Sequence, residues 1–164
     1  MPLHVALLEP RTPAVTGDLA RRCAAVDASL HLVGPLFAMD DPAFRGAGPA
    51  DWETLDWWVH PMWRDFRDAM SRERCLYFAA DSDRDPGDAP FRANSVLVFG
   101  TEDLGLPDKI REKYPERVFG LPRAAKRRQG DTAAAVELTL KFAAQRTAPG
   151  NAAAKPAARP RRKR

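Results

Sequence analysis

The chain has 164 residues and no run of about 18 apolar ones, the length a membrane-crossing helix needs. It has two cysteines, Cys23 and Cys75, far apart and outside any CxxC pattern, which argues against a zinc ribbon or a disulfide scaffold. His4, His31 and His60 are its only histidines. They are scattered, and each reads as a strand or surface residue rather than a ligand, so no metal is expected. GxGxxG and Gly-Lys-Ser/Thr are both absent, which leaves no cradle for nucleotide phosphates. The N-terminal Met-Pro-Leu-His-Val-Ala-Leu-Leu-Glu lacks a basic region and meets an acid early, so it is not expected to be a signal peptide. Free thiols fit a reducing compartment, and a cytoplasmic location is expected.

Acid is missing from one region only. The formal charge is +4, but residues 147–164 carry Lys155, Arg159, Arg161, Arg162, Lys163 and Arg164 with no carboxylate, so residues 1–146 stand at −2. The tail's Ala, Pro and Gly content cannot bury apolar surface, and it is expected to be disordered. Its closing Arg161, Arg162, Lys163 and Arg164 suit a phosphate backbone, bound without regard to sequence. The whole chain is 45% hydrophobic, enough for one core and one domain.

Within that domain, residues 3–8 read as a strand stopped by Pro10 and Pro13. Thr16-Gly17-Asp18 is expected to cap a helix to about Ala28, with Asp18 in its first turn. Leu19, Cys23 and Val26 would face inward, and Arg21 and Arg22 outward. Residues 30–33 form a second strand, and strand–helix–strand with short links implies a parallel sheet. Residues 42–45 form a short helical turn, 55–60 an aromatic strand, and Pro61 opens a helix to about Ser71. Trp52, Trp57, Trp58 and Trp63 crowd this stretch as core, dimer interface or base-stacking surface. Residues 75–80 are a strand, 81–93 a loop, 107–113 a short helix, 117–122 a last strand and 123–130 a basic loop. Asp131 then N-caps a final helix to about Arg146, with Val136, Leu140 and Ala143 buried.

Val96-Leu97-Val98-Phe99 is a continuous apolar run that reads as a buried strand. It breaks into Gly100-Thr101-Glu102-Asp103-Leu104-Gly105-Leu106-Pro107, a Gly-bounded turn carrying acids. Open α/β sheets place ligands at such strand ends; the alternative is a plain turn that needs Gly for its backbone.

Three pieces of sequence then fall in an order that resembles the SPOUT (TrmH-like) RNA methyltransferase superfamily. Glu9-Pro10, Pro13 and Thr16-Gly17-Asp18-Leu19-Ala20-Arg21 are similar to its first motif. Phe99–Pro107 resembles its second, FGxExxGLP, and Leu121-Pro122 with the basic loop and Ala-rich last helix falls at its third. Order and spacing are most similar to the TrmL group, which methylates a ribose 2′-oxygen at the tRNA wobble position. The resemblance spans about residues 3–146.

It implies an α/β fold, a parallel sheet flanked by helices with a C-terminal deep trefoil knot, in a homodimer acting on RNA, specifically tRNA. It implies S-adenosylmethionine (AdoMet) held by loops beginning near Phe78, Gly100 and Leu121, with Glu102, Gly105 and Gln129 contributing. Arg21 matches the family's arginine at the acceptor hydroxyl or nearby phosphate, and Glu102 would brace the loop or the partner subunit's arginine. Arg45 and Arg128 join the tail arginines as RNA contacts. The family's Asn positions around Thr-Gly are Val15 and Asp18 here, and its Ser-Leu-Asn-Leu-Ser-Asn is Gln129-Gly130-Asp131-Thr132-Ala133-Ala134. These departures leave a second reading, a catalytically silent RNA-binding member.

Overall fold

The computed structural model describes residues 3–100 and 104–147. Its centre is a six-stranded sheet of β1 (His4–Leu8), β2 (Ser29–Val33), β3 (Trp57–His60), β4 (Cys75–Phe78), β5 (Val96–Phe99) and β6 (Val118–Phe119). The spatial order is β3-β2-β1-β5-β4-β6, and every neighbouring pair is parallel. Apart from the partly exposed edge strand β3, the strands are short apolar runs because both faces are covered. Val5, Leu7, Leu30, Leu97 and Phe99 point to one core, and Ala6, Tyr77, Val96 and Val98 to the other.

Helices α1 (Pro13–Ala25), α2 (Pro42–Ala47) and α6 (Thr132–Thr147) lie over the first face. Helices α3 (Trp63–Ala69) and α4 (Asp108–Lys113) cover the second. Strands β1, β2 and β3 step outward one way, whereas β4 and β5 return on the other side of β1. The reversal falls between β1 and β5, where such sheets leave a crevice at the C-terminal strand ends. The domain and its parallel sheet are as expected from the sequence; the tail from residue 148 onward lies outside the described residues.

Several boundaries move for local reasons. The first helix starts at Pro13, with Thr12 as cap residue, because proline suits the first helical turn. Thr16 is therefore inside the helix, its hydroxyl donating to the Thr12 carbonyl at 3.0 Å, and Asp18 falls in the second turn. The helix ends at Ala25 because Asp27 adopts φ 59°. The Ala28 and Asp27 amides then reach back to the Cys23 and Ala24 carbonyls, closing a Schellman motif. Val26, expected inside, is thus 39% exposed, and Thr16 and Ala20 take the buried face with Leu19 and Cys23.

Helix α3 begins at Trp63 rather than Pro61, its Asp65 carboxylate accepting from the Met62 amide at 3.1 Å. The basic loop contains a short helix, α5 (Arg123–Lys126). Asp131 caps α6 as expected, accepting from the Ala134 amide at 3.1 Å.

Candidate functional site

Register brings the three proposed loops together. Phe78 of β4 pairs with Phe99 of β5 on one side and Phe119 of β6 on the other, so the three phenylalanines form one row across the sheet. The next residues, Ala79, Gly100 and Gly120, leave the sheet side by side at its C-terminal edge. The Phe78 ring itself is fully buried, stacked on Phe91 and Phe99, so its place is beneath the loops rather than in them.

Main-chain groups tie the loops to one another. Ala79 donates to the Phe119 carbonyl at 3.0 Å, and Ala80 donates to the Leu104 carbonyl at 3.1 Å. Gly120 donates to the Arg84 carbonyl at 2.8 Å, and a Cβ on it would sit 2.5 Å from the Ser82 carbonyl oxygen. At Gly100 a Cβ would run into the Gly105 carbonyl oxygen, so the loop can fold back on itself only with glycine there. Leu104, fully buried, is held at φ 60°, a conformation that strains a bulky residue and is found where a ligand loop is over-determined by its surroundings.

AdoMet carries an uncharged adenine and no phosphate, so its holder needs main-chain donors and acceptors close at hand, not a cluster of cations. The alanine, two glycines and buried Leu121 at this edge meet that requirement. Gly105 is partly buried, Leu106 packs into the second core, and Gln129 is exposed in the turn after α5. Glu102 lies outside the described residues, as do Arg161, Arg162, Lys163 and Arg164.

Arg21 is on the exposed side of α1, its side chain 54% accessible and ion-paired with Asp18. Arg22 also points away from the helix centre, as expected, but to a half-buried rim rather than to open solvent. Its guanidinium donates to Glu137 of α6 at 2.6 Å and to Asp18 at 3.3 Å, joining the two helices in a half-buried network. A partner 115 residues away leaves no local signal. Arg128 pairs with Asp131 at 3.2 Å at the rim of the third loop. Arg45 is exposed but engaged, its guanidinium about 5 Å over the Trp52 and Trp57 rings and its Nε donating to the Met39 carbonyl at 2.7 Å. The altered positions Ala133 and Ala134 are buried in the first turn of α6, where methyl groups pack without a hydrogen-bond requirement.

The histidines are strand residues, as expected, on β1, β2 and β3, but they are assembled rather than scattered. His4 Nδ1 lies 2.8 Å from His31 Nε2, and His31 Nδ1 lies 2.9 Å from His60 Nε2. Trp58 stacks on the His31 ring at 4.8 Å. Burial, helped by the neighbouring His4, His60 and Arg74, pushes His31 down to about 3, so the chain of rings is neutral near pH 7. The rings run in line instead of converging, and among the described residues no three metal-ligating side chains surround a common point. Cys23 and Cys75 are both buried thiols.

Comparison with known proteins agrees with this geometry. The SpoU rRNA methylase family matches residues 2–128. A tRNA (cytidine(34)-2′-O)-methyltransferase of Acidovorax sp. is 34% identical over 143 residues, covering 84% of this chain and 87% of its own. A solved structure bearing on 2-OH methylation of C/U34 on tRNA superposes with a TM-score of 0.74 at 30% identity, covering 87% of this chain and 89% of the other. The SpoU methyltransferase AviRb of Streptomyces viridochromogenes, solved with AdoMet, shares the fold at TM-score 0.70 and 21% identity over 88% of this chain and 57% of its own. The ordered motifs, the parallel sheet with its three adjoining loops and the extent of the match together establish that this chain belongs to the SpoU rRNA methylase family.

Proposed function

We propose that the protein is an AdoMet-dependent RNA 2′-O-ribose methyltransferase acting on tRNA at the wobble position. The observation that carries this reading is the row Phe99–Phe78–Phe119, which brings the loops after β5, β4 and β6 to one edge with glycine where they cross. The relatives named for cytidine-34 methylation favour this reading over a catalytically silent one. Bound there, AdoMet supplies an electrophilic methyl group on its sulfonium.

The chain's own residues do the positioning. Main-chain groups around Ala79, Gly100 and Leu121 hold the adenosine part, with Gly105 and Gln129 closing the loops and Glu102 bracing the second of them. Aligning the ribose hydroxyl with the methyl supplies much of the rate. Arg21 stays protonated and is no general base. Its guanidinium clamps a phosphate and stabilises negative charge developing on the acceptor oxygen. Arg45, Arg128 and the tail cations Arg161, Arg162, Lys163 and Arg164 add phosphate contacts.

Arg21 is eight residues into α1, so it lies about 12 Å along the helix from the edge where α1 begins. A homodimer supports the use of such a residue, one copy's arginine meeting the other's methyl donor. The knot is supported by β6 lying outside β4 while β5 lies inside it, with Gly120 packed under the Ser82–Arg84 turn. A reducing cytoplasm suits the buried thiols, and among the described residues no helix is long and apolar enough to cross a membrane.

Transfer of labelled methyl from AdoMet to bulk tRNA is the test. The wild-type chain is expected to transfer, and Arg21→Ala to lose about 100-fold or more, as when a charge-stabilising donor is removed. A folded wild-type chain that labels no RNA would contradict the reading.

A further inference from the structure

Between α3 and α4, on the sheet face away from α1 and α6, there is a cavity of about 270 Å³. We propose that it is a second ligand site that takes one nucleotide unit, with the base among its aromatic walls and the phosphate at two arginines. The proposal goes beyond the methyl-transfer reading and does not depend on it. Cys75 on the cavity wall opens β4, whereas the methyl-donor loops leave from β4's other end after Phe78. Tyr77, also on the wall, packs in the second core and Phe78 in the first, so the cavity lies on the opposite face of the sheet from the Phe78 row beneath those loops.

The walls are aromatic, with Tyr77 and Tyr114 largely buried. Tyr77 and Tyr114 stack with centroids 5.3 Å apart and planes within 9°. Trp63 stands 6.4 Å from Tyr77 at 52°, so these rings open as a wedge instead of packing face to face. Planar heterocycles gain from such surfaces whatever their sequence identity. The volume is just under the usual small-molecule range of about 300–1,000 Å³, which suits one base better than a whole dinucleotide.

The mouth is cationic. The Arg72 guanidinium lies 5.3 Å over the Tyr114 ring and pairs with no carboxylate among the described residues. Arg67 is exposed and only loosely paired with Asp68, at 3.6 Å. Lys113 lies over the same Tyr114 ring at 5.8 Å. A purely apolar ligand would leave these charges unused, and an acidic peptide would leave the aromatic wedge unfilled. The Cys75 thiol plays no redox part here, because burial pushes it up to about 11 and keeps it protonated.

The nucleotide unit comes either free or within an RNA strand, and two probes separate these sources. The full chain is titrated with AMP by calorimetry and with bulk tRNA by filter retention. Both are repeated with Arg67→Ala/Arg72→Ala and with Arg64→Ala/Lys109→Ala, which removes equal charge outside the cavity. The cavity variant is expected to weaken binding at least tenfold while the control holds within twofold. Weakened AMP affinity assigns a free nucleotide, and weakened tRNA retention without AMP binding assigns an RNA strand. No binding of either probe, or equal losses in both double variants, would overturn the proposal. AdoMet affinity, measured in parallel, is expected to be unchanged in both variants. Its absence from the wild type would bear on the methyl-transfer reading alone.

Discussion

The flank formed by β5, β4 and β6 differs from the flank formed by β1, β2 and β3 in the material of its chemistry. The first is built from main chain, small residues and close crossings at Gly100 and Gly120, with hydrophobic rings below. The second is built from side chains, with His4, His31 and His60 joined across three strands and Trp58 laid over them. A main-chain site is indifferent to pH and intolerant of an added methyl group. A side-chain cluster tolerates shape changes at its exposed end and responds to protons. The same sheet thus separates an edge of main-chain groups, proposed to take an adenosine group, from a buried histidine cluster whose protonation burial disfavours.

The largest expected effect is on the histidine flank. His31 titrates near 6.5 when unfolded and near 3 when folded, so the unfolded chain binds the extra proton first as pH falls. This group's contribution is complete above about pH 6.5 and is lost toward pH 3, by up to about 1.4 kcal/mol per pH unit. Denaturant midpoints from pH 7 to 4 are expected to fall more steeply for the wild type than for His31→Leu. Parallel slopes would remove the distinction between the flanks.

A smaller effect is expected where α1 meets α6. Arg22→Ala leaves Glu137 half-buried with only Lys141 at 3.7 Å, and about 1–3 kcal/mol of stability is expected to be lost. Urea unfolding measures it directly, and Glu137→Gln should recover part of the loss in the Arg22→Ala background. The smallest effect is expected from Asp18→Asn. It breaks two exposed to half-exposed pairs within one helix, worth about 0.5 kcal/mol or less each, and frees Arg21 for phosphate. Thermal unfolding is expected to move little while tRNA affinity rises.

Much of the main-chain flank was legible in the sequence, because its strands are unbroken apolar runs and its turns are written in Gly and Pro. Val96–Phe99 followed by Gly100 and Gly105 places a strand and a returning loop without reference to the rest of the molecule. The side-chain flank was not legible. His4 and His31 are linked diagonally, since the register sets His31 opposite Ala6, and only the strand order β3-β2-β1 makes the three rings neighbours. The same holds for Arg22 and Glu137. Helix boundaries shifted where a cap overrode periodicity, at Pro13, at Asp27 and at Met62. The aromatic cavity went unread because Trp63, Tyr77 and Tyr114 come from three separate elements.

The proposal that the β5–β4–β6 edge holds the methyl donor mainly through main chain is tested most directly by AdoMet calorimetry on the wild type and on Gly100→Ala. Circular dichroism establishes that both are folded. Saturable micromolar binding to the wild type and none to the variant are expected, because the new methyl group forces the Gly105 carbonyl away. Equal binding to both chains, or none to the wild type, would contradict the proposal.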